Sequence, residues 1–442
     1  MNPKKIITRI APSPTGQMHI GTVRTALFNY IFAKQHGGTY FVRIEDTDRE
    51  RNKEEWVDAI WQDFEWCGLI PDQKYRQSEH IERHKELLKS LVASGKAYIS
   101  KESKKDDPSK EVEVVRLKNP GTSITFDDLI RGSVTIDTTD LGDFVIARAI
   151  DDPLYHFAVV VDDGDAGVTH VLRAEEHISN TPRQILILEA LGFERPTYAH
   201  FPLILAPDRT KLSKRKHGAS IENYRAQGFI PEGMINYLAF LGWNPGTEEE
   251  LFTLDELIEQ FSIDKLQKSG AIFDETKMRW FNHEHLKKLS NDEFTQRLTA
   301  FAGKRPTPQY LGKIISLLRE RSQTLGEALQ AITDGEFAFM EDEVTYAPEL
   351  LLQGAKVDAS VAKQHLQKVL EILEALPHEN FTAERAKEAV FPYATEQGRS
   401  GVLWPMRVAL SGKEKSPDPF ALCALLGKEK TLERIAQASH VL

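Results

Sequence analysis

The chain of 442 residues has only two cysteines, Cys67 and Cys423. They lie far apart and neither belongs to a C-x-x-C pair, so a disulfide framework and a cysteine-rich zinc site are not expected. Long apolar runs are missing as well. No stretch of about 18 apolar residues occurs, and no membrane-spanning helix is expected. The N-terminus, MNPKKIITRIAP, lacks a long apolar core followed by a small-residue cleavage site. That pattern argues against a signal peptide and for a cytoplasmic location. Positive charge is in deficit, with a formal net charge of −10. Taken alone, this speaks against a nucleic-acid partner. Internal repeats, coiled-coil arrays and the Ser-His-Asp or Cys-His patterns of nucleophilic catalysis are also missing.

What is there is an ordinary soluble composition, 41% hydrophobic and 28% charged. The length suits roughly three domains of ~150 residues. The basic residues cluster. Between Asp208 and Arg225 lie Arg209, Lys211, Lys214, Arg215, Lys216 and Arg225, against Asp208 and Glu222. A local positive surface on an acidic body can neutralise phosphates.

The segment Ala11–Thr22 reads APSPTGQMHIGT. It joins the apolar stretch Lys5–Ile10 to a helical pattern of Val23, Ala26, Leu27, Tyr30 and Ile31. Gly37-Gly38 supplies a stop, and the apolar run Thr39–Ile44 follows. This is a strand–loop–helix–strand unit. Its loop leads into a helix N-terminus, where free backbone N–H groups and the helix dipole favour a phosphate. Ser13, Thr15 and His19 add donors there. About 190 residues later comes Lys211-Leu212-Ser213-Lys214-Arg215, whose lysines can close over a polyphosphate as point charges. The glycines fit neither G-x-x-x-x-G-K-[ST] nor G-x-G-x-x-G.

Trp56–Trp66 and His80–Ala93 have helical patterns. Lys101–Glu113 is a polar run expected as a surface excursion. Ser123–Phe126 and Ser133–Ile136 alternate as strands do, with turn signals at Pro120-Gly121 and Arg131-Gly132. Phe157–Val161 reads as a buried parallel strand, Thr181–Leu191 as a helix and Thr197–Leu205 as extended. Beyond the lysine pentad the chain is mainly helical. Capping-box patterns stand at Thr253…Glu256, Ser290…Glu293 and Thr324…Glu327. Ala362, Leu366, Val369, Leu370 and Leu373 form a helical stripe that stops at Pro377. His80 and His84 are four apart, but the residues between them do not make H-E-x-x-H. They are expected on a solvated helix face. Trp404 is expected to pack the core of the tail.

The two motifs His19-Ile20-Gly21-Thr22 and Lys211–Arg215 resemble the signatures of class I aminoacyl-tRNA synthetases. With APSPTG, Arg43–Asp48 (RIEDTD), Tyr155–Asp163 (YHFAVVVDD), Arg173–His177 (RAEEH), Trp404–Ala409 and Ala424–Lys428, nearly the whole chain resembles the bacterial-type glutamyl-tRNA synthetases. The resemblance implies an α/β N-terminal half, a Rossmann-like doubly wound parallel sheet split by an α+β insertion, and an all-α C-terminal half. The split catalytic domain is expected at residues 1–80 and 155–210, and the inserted acceptor-end-binding domain at 81–154. A stem-contact domain bearing the KLSKR loop is expected at 211–290, and a helical anticodon-binding region of one or two subdomains at 291–442.

The resemblance further implies ATP-dependent activation of L-glutamate and its transfer to the terminal adenosine of tRNA(Glu), with charging of tRNA(Gln) left open. ATP brings the Mg²⁺, and the monomer is the usual state. His19, Lys211 and Lys214 are the expected catalytic residues. Ser13, Thr15, Gly21, Thr22, Glu176, His177, Ile204 and Ser213 join them around ATP. Arg9, Ala11, Ser13, Glu45, Tyr155 and Arg173 are expected around glutamate, with Arg9 on its side-chain carboxylate and Glu45 on its ammonium. Arg319 and Arg321 are the candidates for reading the anticodon. Some members of the family hold zinc in the insertion. The matching Ala97–Val115 has neither cysteine nor histidine and is expected to be metal-free. Glutaminyl-tRNA synthetases usually carry an EPNG-like segment and a second histidine in the first motif, where this chain has Ser13–Gly16 and Thr22. A tRNA-modifying paralogue would lack the helical tail. A catalytically silent tRNA-binding protein would lack His19, Lys211 or Lys214. A nucleotidyltransferase would leave the C-terminal half unexplained.

Overall fold

The computed structural model describes residues 5–47, 51–104, 107–213, 218–305, 308–341 and 343–442. Asp48, Lys214, Arg215 and Lys216 lie outside them. The chain forms two compact units, Met1–Lys288 and Leu289–Leu442.

In the first unit, β1 (Ile7–Ile10), α1 (Ile20–Gln35) and β2 (Thr39–Ile44) form the expected strand–helix–strand unit. Helix α2 (Glu54–Trp66) leads to β3 (Gln73–Arg76), and β1, β2 and β3 pair in parallel, in that order. Helix α1 buries Val23, Ala26, Leu27, Phe28 and Ile31 beneath the sheet. It ends at Gly37, whose φ of +61° is the left-handed conformation that closes helices. Gly38 is required by a close approach: a Cβ there would stand 2.4 Å from the Ile6 carbonyl oxygen.

Helix α3 (Ile81–Ala93) opens the segment expected as an insertion. There β4 (Ala97–Lys104) and β5 (Asp107–Leu117) form an antiparallel hairpin, with Tyr98 opposite Arg116. The polar run Lys101–Glu113 therefore carries regular strands, and its residues 105 and 106 lie outside the described ones. Strands β6 (Ser123–Asp128) and β7 (Gly132–Asp137) form a second hairpin, and β8 (Phe144–Ala149) and β9 (Asp152–Pro153) extend the first. The β6–β7 hairpin is not set apart. It joins the edge of a sheet ordered β10-β11-β6-β7, where β10 (His170–Ala174) and β11 (Thr197–Phe201) are parallel. Strand β1 lies beside this sheet, for Thr169 donates its N–H to the Ile7 carbonyl at 3.1 Å.

Phe157–Val161 is the one clear reversal. It belongs to helix α4 (Tyr155–Asp165), not to a strand. All five residues are at most 3% exposed. A short apolar run buried on every side has no periodicity to separate the two states. Gly164 in this helix lies against Phe193, whose ring would be 2.6 Å from an added Cβ. Helix α5 (Thr181–Leu191) packs beside α4.

The second unit is helical throughout its described residues. Full capping boxes close at Ser290/Glu293 here and at Thr253/Glu256 in the first unit. At Thr324 the hydroxyl accepts from Glu327 N–H, while the Glu327 carboxylate takes the Gln323 N–H. The stripe Ala362, Leu366, Val369 and Leu373 is buried in the helix Ala359–Glu374, with Leu370 at its edge. Trp404 packs the interior, its Nε1 donating to the Leu350 carbonyl at 2.8 Å. Gly354 lies flat on its ring, which leaves no room for a Cβ. No helix among the described residues is long and apolar enough to cross a membrane.

Candidate active site

The carboxyl ends of β1, β2, β10 and β11 surround a cleft of about 720 Å³. This is the crevice where open α/β sheets bind ligands. Of the expected site residues, Arg9, Ala11, Ser13, His19, Gly21, Thr22, Glu45, Tyr155, Arg173, Glu176, His177, Ile204, Lys211 and Ser213 all line it. Thr15 does not. It lines a neighbouring polar cleft that shares Ser13, Glu45 and Tyr155 and adds Arg51, Lys85 and Arg148. Lys214 lies outside the described residues.

At one end of the cleft, His19 caps α1. Its Nδ1 accepts the Gly21 N–H at 3.0 Å. A ring nitrogen that accepts carries no proton, so the neutral ring keeps its proton on Nε2, where it is a donor. The loop is held in place by the chain beyond the lysine pentad. Ile20 N–H donates to the Ala219 carbonyl, and Ile221 N–H to that of Met18. A tight turn, with Arg209 at a φ of +63°, returns Leu212 N–H to the Ile204 carbonyl. This brings Lys211 and Ser213 to the cleft. The Lys211 ammonium pairs with the Glu176 carboxylate. Burial pushes the His177 imidazole down to about 4, so it is neutral at pH 7.

At the other end stand three arginines. Arg9 Nε and Nη2 bond the Asp163 carboxylate at 3.1–3.2 Å. Arg43 reaches Asp163 at 2.6 Å and Glu45 at 3.1 Å. Burial alone would raise the Asp163 carboxyl, but Arg9 and Arg43 outweigh it and hold it below its usual range. For Glu45 burial wins over Arg43, and its pKa is raised. Arg173 differs. Its Nε meets His200 Nε2 at 3.1 Å, Nη1 the Gln184 side-chain oxygen at 2.7 Å, and Nη2 the Thr181 hydroxyl at 2.8 Å and the His177 carbonyl at 3.4 Å. Every partner is neutral. A buried cation satisfied only by dipoles retains its charge for an anion in the cleft. Burial accordingly lowers its pKa.

Several residues escaped the sequence reading. Arg24 of α1 lines the cleft, 3% exposed, and donates to the carbonyls of Pro202 and Leu241. Burial lowers its pKa to about 10. Asp163 is another. The signal available was two acids ending an apolar run, since buried carboxylates need partners. The solvated face expected for His80 and His84 is also wrong. His84 is fully buried, its Nε2 2.7 Å from Asp162, and His80 stacks on Tyr75. Asp162 also takes Gln77 Nε2 at 2.6 Å, so the histidine ties α3 to α4. Among the basic cluster, Arg225 is bound to Asp63 at 3.0 Å. In the second unit, Arg319 donates to the Leu289 carbonyl at 2.7 Å, and the more exposed Arg321 pairs with Glu336 at 2.7 Å.

Residues 5–107 and 99–280 match the family model of the class I tRNA synthetases (E and Q), catalytic domain, and residues 293–439 match that of an anticodon binding domain. A glutamate–tRNA ligase of Carboxydothermus hydrogenoformans is 36% identical, over 97% of this chain and 98% of its own. Glutamate–tRNA ligase 1 of Caldanaerobacter subterraneus subsp. tengcongensis is 37% identical, over 98% and 97%. A crystal structure of a glutamate tRNA ligase from Elizabethkingia meningosepticum, in complex with its amino acid, superposes with a TM-score of 0.81 at 30% identity. It covers 99% of each chain. The chain belongs to the glutamate–tRNA ligase family of class I tRNA synthetases.

Proposed function

We propose that the chain activates L-glutamate with ATP and transfers it to the 3′-terminal adenosine of tRNA(Glu). A glutamate α-carboxylate oxygen attacks the α-phosphorus of ATP, and pyrophosphate leaves with the electrons of the broken P–O bond. A ribose hydroxyl of the terminal adenosine then attacks the activated carbonyl, and AMP leaves. Both steps gather anions, so positioning and fixed positive charge supply most of the catalysis. Mg²⁺ would enter with ATP as part of that substrate and would offset charge on its phosphates.

In this reading the nucleotide lies over the N-terminus of α1, with Ser13, Gly21, Thr22, Glu176, His177, Ile204 and Ser213 around it. His19 Nε2–H donates to a phosphate oxygen. Lys211 exchanges Glu176 for phosphate, and Lys214 stabilises the departing pyrophosphate. Glutamate lies against Arg9, Ala11, Ser13, Glu45, Tyr155 and Arg173. Glu45 takes the ammonium, and Arg9 the side-chain carboxylate. Thr15, in the adjoining cleft, is reassigned to the side from which the acceptor end enters, between residues 81–154 and the catalytic strands. Residues 211–290 contact the stem. Residues 291–442 read the anticodon, with Arg321 presented to solvent and Arg319 bound to backbone.

The observation that carries this reading is Arg173, a buried guanidinium lining the cleft with neutral partners alone. Charging of purified tRNA(Glu) and tRNA(Gln) with radiolabelled glutamate tests it. Glutamyl-tRNA(Glu) is expected to accumulate only with ATP, and an Arg173→Gln variant is expected to need far more glutamate. Charging without ATP, or an unchanged glutamate requirement in the variant, would refute it. The tRNA(Gln) arm decides whether the second tRNA is also a substrate.

A further inference from the structure

Behind Arg173 stands a buried relay that runs into the inserted segment. Asp128 ends β6, His200 sits on β11, and Arg173 on β10. They are 4%, 0% and 6% exposed. One oxygen of Asp128 accepts the backbone N–H groups of Ile130, Arg131 and His200 at 3.0, 2.8 and 3.3 Å. The other lies 2.6 Å from His200 Nδ1. An ionised carboxylate only accepts, so Nδ1 holds the proton. Nε2, 3.1 Å from Arg173 Nε, then presents its lone pair to that N–H. Arginine can only donate, so the contact exists in this tautomer and in no other. Thr181 Oγ1 accepts from Arg173 Nη2 and lies 3.2 Å from both the His177 carbonyl and His200 Nε2. A hydroxyl turned toward Nε2 needs the same tautomer, with the ring proton on Nδ1.

We propose that His200 is a positioning residue for Arg173, with its tautomer fixed by Asp128, so that β6 of the inserted segment sets the orientation of the amino-acid pocket. This rests on Arg173 facing a carboxylate of glutamate, as proposed above. The relay aims the guanidinium without neutralising it. A carboxylate in place of His200 would hold Arg173 as firmly but would cancel the charge that glutamate needs.

Two amide substitutions of different reach separate positioning from mere support. In His200→Gln the side-chain oxygen reaches about where Nε2 stood and can still accept from Arg173. In His200→Asn the amide reaches only the Nδ1 position and leaves Arg173 Nε without an acceptor. Asp128→Asn keeps its oxygen toward the three backbone donors and turns its NH₂ toward Nδ1. This drives the proton to Nε2, against Arg173. Glutamate and ATP KM values in aminoacylation, with thermal melting, form the test. His200→Asn and Asp128→Asn are expected to raise the glutamate KM by about tenfold, the worth of one hydrogen bond to a charged group. His200→Gln should recover most of this, and ATP KM should stay within about twofold. Equal glutamate KM values for the Gln and Asn variants would overturn the proposal, as would parallel losses for both substrates. Arg173→Gln serves as the separate control. If it leaves the glutamate KM unchanged, the reading of Arg173 fails. If it raises the KM while the His200 pair stays at wild type, the relay alone fails.

Discussion

Asp163 holds Arg9 and Arg43 together. Its carboxylate takes Nε and Nη2 of Arg9 at 3.1–3.2 Å and Nη1 of Arg43 at 2.6 Å. Because Arg43 also holds Glu45, one aspartate on α4 fixes two of the groups assigned to glutamate. Asp163→Asn is expected to destabilise the first unit by about 3–5 kcal/mol, since it leaves buried guanidinium charge unpaired. Urea unfolding measures this, and an unchanged midpoint would contradict the pairing.

Arg9→Ala should raise the glutamate KM strongly, by roughly 10²-fold, and weaken discrimination against glutamine. ATP KM should change much less, because the groups assigned to phosphate are untouched. Impaired ATP binding with an unchanged glutamate KM would show that the two ends of the cleft have been assigned wrongly.

Lys214→Ala is expected to lower the rate of glutamate activation by roughly 10²–10³, the usual cost of one preorganised charge-stabilising donor. Glu176→Gln probes the partner of Lys211. By removing the Lys211–Glu176 pair it should lower the ATP KM if the lysine must leave that pair to reach phosphate. Near-normal turnover of Lys214→Ala at saturating substrates would remove the lysine from the mechanism.

Acid should destabilise the first unit. His156, His177 and His285 are each lowered from 6.5 to about 4, chiefly by burial. Between about pH 6.5 and 4 the unfolded chain binds these protons and the folded chain does not. Stability therefore rises with pH across this window and falls on acidification. Thermal melting at pH 7, 6 and 5 should show a falling Tm for this unit. A Tm independent of pH in that range would mean that the histidines are charged when folded.

Gly354→Ala should destabilise the helical unit, because the Trp404 ring occupies the place of the new methyl. Overpacking of this kind costs typically 1–3 kcal/mol. Chemical unfolding followed by far-UV circular dichroism reports it, and a wild-type midpoint would show that the ring moves aside freely.

Periodicity and loop chemistry make much of this fold legible in the sequence. The apolar spacing of α1 and its glycine stop are local signals, and local signals survive folding. Phe157–Val161 failed because complete burial erases the polar face that marks a helix. His84 failed for a related reason: its partner Asp162 is 78 residues away, so its surroundings are a tertiary fact. Most of the residues named from the family motifs line one cleft. Arg24 was missed because its partners are backbone carbonyls at Pro202 and Leu241, which no side-chain pattern announces. Thr15 lies one loop turn from Ser13 yet faces the neighbouring cleft, a distinction that spacing alone does not make.

The most direct test is the ratio of kcat/KM for glutamate to that for glutamine in charging tRNA(Glu) with ATP. A cleft that meets the substrate's carboxylates with Arg9 and Arg173 should favour glutamate by on the order of 10⁴, as sites built around specific polar contacts do. A ratio near one, or a preference for glutamine, would contradict the assignment of this cleft to glutamate.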